Sequence, residues 1–128
     1  MFLAELFGRT GNKIKGLSNS ASKRFAGFFD ELKQLGYTII IRDAVRSYEE
    51  QEYYYKKDKR NAKPGTSDHE TGNALDFDIY INGKVLSKKT PKALWMNTGV
   101  PTIAKKYGIS WGGNFKGYPD NNHFYFRS

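Results

Sequence analysis

The chain carries two histidines in all, His69 and His123, and each stands close to a carboxylate. In "SDHETGNALDFD", residues 67 to 78, His69 and Asp76 are seven positions apart, and in "DNNHFYF" Asp120 precedes His123 by three. Two neutral imidazoles and one carboxylate form a complete protein ligand set for a catalytic zinc, with the fourth position left for water. Such a site lowers the pKa of a water towards ~7 and polarises a carbonyl. The reaction also needs a proton acceptor that is not itself a ligand, and Asp120 is placed for that work. Residue types alone leave the matter open, because two histidines are most often exposed or hydrogen-bonded side chains. The same donors suit a non-haem iron oxygenase, but there the carboxylate follows the first histidine closely, and the spacing here does not fit.

These residues need elements to hold them. Phe25, Phe28, Phe29, Leu32 and Leu35 recur at helical spacing and Gly36 follows as a stop, which predicts a core-packing helix. "YTIII" predicts a buried strand, and Ser47 with Glu50 is a capping box opening the helix "YEEQEYYYKKDKR". "NAKPGTSDH" is a loop centred on Pro-Gly. "NALDFDIYINGKVLS" predicts a hairpin turning at Asn82-Gly83. Alternation puts Leu75, Phe77 and Ile79 on one face and Asp76 with Asp78 on the other. Thr90-Pro91 is read as a helix N-cap with a first-turn proline, Pro101 opens another helix ending at Gly108, and "ISW" and "HFYF" are closing strands. The expected fold is α+β, a single domain with a central, mainly antiparallel sheet flanked by helices. Residues 1–20, rich in Gly, Asn, Ser and Lys towards their end, read as a tail or linker, and 21–128 as the folded domain.

The length of 128 residues fits one domain, and 9 Phe, 9 Tyr and 2 Trp give it an aromatic core. With no cysteine, a metal must be held by nitrogen and oxygen. Lys and Arg number 21 against 13 Asp and Glu, a net charge of +8, which points to an anionic partner. The aromatics fall at core spacing and are not interleaved with the basic run "KKDKRNAK" (Lys56 to Lys63), so no nucleic-acid partner is expected. The longest apolar run is too short to span a bilayer, and the start, "MFLAELFGRTGNK", lacks a basic region ahead of its apolar residues, so no secretory signal is read.

The pattern Ser67-x-His69-x-x-Gly72-x-Ala74-x-Asp76, then Trp111-Gly112-Gly113, then Asp120-x-x-His123-Phe124, resembles the D-Ala-D-Ala carboxypeptidase and L-alanyl-D-glutamate peptidase family. These are zinc peptidases of bacterial peptidoglycan that include many phage endolysins and share a scaffold with hedgehog domains. The resemblance runs from about Tyr37 to Phe124, and several fixed spacings agree together. It implies His69, Asp76 and His123 as Zn2+ ligands, Asp120 as catalytic acid/base, and Arg46 as the arginine that steadies substrate and the developing oxyanion. It further implies Ser67 as a substrate-binding or site-organising hydroxyl, and Gln51 as a residue of the substrate site or its scaffold. Trp111 is expected to line the substrate cleft or to pack in the core, and Asp78 to lie beside the site or in solvent. Gly72 and Ala74 are expected to keep the backbone tight between two ligands.

Three positions depart from the family pattern: Phe115 where tryptophan is common, Tyr125 where an acidic or polar residue follows His-Phe, and "DAVRS" leading to Arg46. The expectation is a monomeric zinc peptidase acting on the peptidoglycan stem peptide. A phage or prophage endolysin of the L-alanyl-D-glutamate endopeptidase type is favoured, held in the host cytoplasm until released to the wall and attracted there by anionic wall polymers. The alternatives are a D-Ala-D-Ala carboxypeptidase or an inactive wall-binding module of the same fold.

Overall fold

The computed structural model of the chain describes residues 17–43, 48–63, 65, 70 and 72–127. The expected functional residues Arg46, Ser67 and His69, and the capping Ser47, lie outside the described residues.

The first helix, α1 (Asn19–Gln34), begins inside the stretch expected to be a tail, because Ser18 caps it: its hydroxyl accepts from the Ala21 N–H at 3.1 Å. The same hydroxyl donates to Asn73 Oδ1 at 2.6 Å, and the Ser18 N–H donates to the Gly72 carbonyl at 3.0 Å. The helix start is thus tied to the segment entering the central strand. Phe25, Phe28, Phe29 and Leu32 form the predicted buried stripe. Leu35 does not join it; the helix turns at Gly36 (φ +96°), and Leu35 is 54% exposed.

Strand β1 (Thr38–Asp43), helix α2 (Tyr48–Lys57), the hairpin β2 (Ala74–Ile81) with β3 (Lys84–Leu86), helices α3 (Lys92–Asn97) and α4 (Val100–Lys106), and strands β4 (Ser110–Trp111) and β5 (His123–Tyr125) follow in order. The sheet runs β1-β2-β5-β4, with β3 also paired to β2, and every pairing is antiparallel. The hairpin turns at Asn82 (φ 52°) and Gly83 (φ 78°), both left-handed as a tight primed turn requires.

The sequence expectations need three corrections. "YTIII" is not a buried strand: β1 is the sheet edge, and only Ile41 is buried. Thr90 does not cap α3, since its hydroxyl accepts from the Ser87 N–H at 2.9 Å, and Pro91 occupies the cap. The second helix stops at Lys57, short of Arg60, because the Asp58 carboxylate turns the chain by accepting from the Arg60 N–H at 3.0 Å.

The alternation along β2 is as read. Leu75, Phe77 and Ile79 are fully buried against α1, and Phe124 of β5 stacks on Phe77 with ring centroids 4.6 Å apart. Phe29 meets Phe77 edge-on at 5.0 Å. Such pairs contribute about 0.5–1.5 kcal/mol each beyond simple burial. The opposite face of β2 and β5 is left for Asp76, Asp78, His123 and Tyr125. Among the described residues no helix is long and apolar enough to cross a membrane.

Candidate metal centre and active site

Asp76 and His123 are directly opposed across the β2–β5 pairing. Their side chains leave the same sheet face, and His123 Nδ1 lies 2.7 Å from Asp76 Oδ1. Both are largely withdrawn from solvent. Asp120 enters from the turn before β5, so that one ligand-capable atom from each of Asp76, Asp120 and His123 lies within 4.8 Å of the others. This is the only such cluster among the described residues.

That turn is fixed by backbone. The Asp120 N–H donates to the Gly112 carbonyl at 2.9 Å, as does the Phe115 N–H at 3.1 Å, and the His123 N–H returns to the Asp120 carbonyl at 3.2 Å. Gly112 has no room for a side chain: a Cβ there would lie 2.6 Å from the Asp120 carbonyl oxygen and 2.9 Å from His123 Cβ. The first glycine of Trp-Gly-Gly is therefore where the backbone closes against the turn that carries Asp120 and His123.

The donor set fits zinc. Two donors on neighbouring strands face each other, one nitrogen and one oxygen, in a chain without thiolates. Ligand atoms of a tetrahedral zinc lie roughly 3.3 Å apart for bonds of about 2.0–2.1 Å. Asp76 and His123, 2.7 Å apart, would need to part by about 0.6 Å.

Other expected site residues have structural places. Trp111 is 4% exposed, packs in the core and donates its indole N–H to the Asn121 carbonyl at 2.8 Å, so it braces the Asp120 turn from behind. Gln51 is 1% exposed and donates to the Ala62 carbonyl at 2.7 Å, which makes it scaffold for the loop after α2. Asp78 is not in solvent: it is 4% exposed and accepts from Arg42 Nε at 2.8 Å and Asn122 Nδ2 at 3.0 Å. Arg42 sits at a register shift in the β1–β2 pairing, between Ile41 and Asp43. Gly72, at φ +75°, adopts a backbone that side chains disfavour, and Ala74 is buried.

The two aromatic departures from the family pattern surround His123. The Tyr125 ring lies 5.5 Å from the His123 imidazole at 27°, and Phe115 5.7 Å from it at 45°. Phe115 and Tyr125 also stack on each other at 5.4 Å. The period of β5 was signal enough for Tyr125, two residues from His123 on the same face. Nothing local marked Asn122 for its bond to Asp78.

Comparison with known proteins gives the family and the fold. Residues 60–126 match the D-alanyl-D-alanine carboxypeptidase family. The peptidoglycan L-alanyl-D-glutamate endopeptidase CwlK of Bacillus subtilis is 29% identical over 102 residues, covering 69% of this chain and 60% of that protein, so the chain spans about 60% of this curated relative's length. The Serratia marcescens L-Ala D-Glu endopeptidase ChiX shares the fold, with a TM-score of 0.70 at 17% identity over 93% of this chain and 86% of that one. VanYB, solved in complex with D-alanine-D-alanine, has a TM-score of 0.64 at 15% identity, over 88% and 72%. Because the matched residues 60–126 make up more than half of the 128-residue chain, it follows that the chain belongs to the D-alanyl-D-alanine carboxypeptidase family of peptidoglycan peptidases.

Proposed function

We propose that this chain is a zinc peptidase that hydrolyses the stem peptide of bacterial peptidoglycan, with the L-alanyl-D-glutamate bond as its target. The observation that carries the reading is the cross-strand Asp76–His123 pair with the Asp120 carboxylate beside it. The similarity to CwlK supports this bond. The match of residues 60–126 to the carboxypeptidase family favours a second reading, removal of a terminal D-Ala.

Asp76 and His123, with His69 from the segment before β2, would hold the metal. Zinc, when bound, supplies polarisation of a water and of the scissile carbonyl. Asp120, beside the Asp76–His123 pair, takes the proton of the attacking water and delivers it to the leaving amine. Arg46 shares the charge that develops on the carbonyl oxygen, a role a planar guanidinium fills well, and Ser67 binds substrate. The +8 chain holds to anionic wall polymers by charge. The proposed setting is phage or prophage lysis.

Digestion of purified peptidoglycan followed by mass spectrometry of the new termini tests the reading. A new N-terminal D-Glu supports the endopeptidase, release of D-Ala supports the carboxypeptidase, and intact stem peptides with zinc bound would mean a wall-binding module.

A further inference from the structure

The turn between β3 and α3 carries Lys88 to the edge of the site. Lys88 Nζ lies 3.9 Å from Asp120 Oδ1, too far for a hydrogen bond, and the side chain is 47% exposed. The ammonium also lies 5.5 Å from the centre of the Tyr118 ring, which Arg60 approaches at 4.4 Å. The two cations differ. Arg60 is committed to Asp58, with Nη2 2.7 Å from its carboxylate, and that contact first of all holds the Asp58 pKa down to about 2. Lys88 makes no hydrogen bond among the described residues, so its N–H groups are available to a ligand.

Lys88 does not swing on a loose loop. Ser87 and Thr90 bracket it with reciprocal bonds, Ser87 N–H to Thr90 Oγ1 at 2.9 Å and Thr90 N–H to the Ser87 carbonyl at 3.1 Å. The buried Trp95 indole donates to the same Ser87 carbonyl at 2.8 Å. Asn121 Nδ2 donates to the Thr90 carbonyl at 2.8 Å, which fastens this turn to the one that carries Asp120. The two turns that carry Lys88 and Asp120 are therefore fastened to each other, and the Lys88 side chain reaches from a fixed base.

We propose that Lys88 binds the carboxylate carried by the residue on the leaving side of the scissile bond. This inference rests on the peptidase reading, in which Asp120 delivers a proton to the leaving nitrogen. A group a few ångströms from Asp120 is then a few ångströms from that nitrogen. In a D-Ala-D-Ala terminus the leaving residue bears its free α-carboxylate. In an L-alanyl-D-glutamate bond, D-Glu joined onward through one carboxyl keeps the other. Both bonds thus present an anion one residue beyond the cut, where a half-exposed ammonium meets it best.

The test uses two pairs of soluble peptides, one with an L-Ala-D-Glu bond and one ending in D-Ala-D-Ala, each as free carboxylate and as the corresponding amide. The parent should cleave the carboxylate member of its preferred pair with the higher kcat/KM. Lys88→Met should lower kcat/KM for that member about tenfold, leave the amide nearly unchanged and so erase the preference, while Lys88→Arg retains it. An equal loss on carboxylate and amide means that Lys88 acts through Asp120, and overturns the proposal. So does an undiminished preference in Lys88→Met, or a parent without preference. Cleavage of neither carboxylate peptide by the parent overturns the peptidase reading itself, and the inference with it.

Discussion

Gly112→Ala is a test of how the site is held, because the substitution adds one methyl group and removes no functional atom. That methyl would sit 2.6 Å from the Asp120 carbonyl oxygen and 2.9 Å from His123 Cβ, against 3.4 Å or more for ordinary contact. The turn must retreat by roughly 0.8 Å, and a displacement of about 1 Å at a reacting group costs about 10²-fold in rate. The retreat also strains the two hydrogen bonds that Asp120 and Phe115 donate to the Gly112 carbonyl. Overpacking of this kind typically costs about 1–3 kcal/mol of stability. The expected result is a folded protein with lowered thermal stability and a kcat on soluble stem peptide reduced about 10²-fold. Gly83→Ala serves as the control: at φ +78° it strains the hairpin turn with nothing within 4 Å to collide with, so it should lose stability and keep its kcat. Parental turnover in Gly112→Ala would refute the claim that this contact positions Asp120 and His123. Equal loss of turnover in both variants would assign the effect to general destabilisation.

Asp76→Ala and His123→Ala should lose metal as well as activity, by elemental analysis, since each removes one donor of the opposed pair. Asp120→Ala should keep its metal and its melting temperature while kcat falls ~10²–10⁴-fold; an unchanged rate would make Asp120 a bystander. Lysis of whole walls should weaken as salt rises while cleavage of a small soluble peptide changes little, because exposed charges are screened beyond ~10 Å at 0.1 M. The Glu31 carboxylate, held below its ordinary pKa first by Lys106 and then by the Tyr107 hydroxyl, ties α1 to α4. A depressed carboxylate stabilises the fold above its unfolded pKa, and that contribution is lost as pH falls through the lowered value. Melting curves of parent and Glu31→Gln should therefore differ at neutral pH and converge in acid.

Local periodicity carried the fold a long way. The 3–4 spacing of Phe25, Phe28, Phe29 and Leu32 specified the buried face of α1, Asn82-Gly83 specified the hairpin, and alternation placed Asp76 opposite the core. Where the reading failed, the missing information was not local. "YTIII" has the composition of a central strand, yet its burial depends on which strands flank it, and β1 has one neighbour. Asp76 and His123 were legible as possible donors, but their meeting depends on β2 pairing with β5 across the intervening helices. Trp111 and Gln51 have the chemistry to bind substrate, and only the packing reveals that they brace loops. Lys88 was one lysine among many until the turn that carries it was seen tied to Asn121.

The opposed pair on β2 and β5 has a consequence for the chain as a polymer. Asp76 and His123 are 47 residues apart in sequence and adjacent in space, in a protein with no cysteine. An ion gripped by both in the folded chain would hold the ends of that stretch together, and binding to the folded state alone stabilises it by about 2.7 kcal/mol when free metal is about 100 times the dissociation constant. Unlike a disulfide, this link can be withdrawn by a chelator and restored by adding metal, with no redox chemistry at either step. The heat tolerance of such a chain would then be set partly by the free zinc around it.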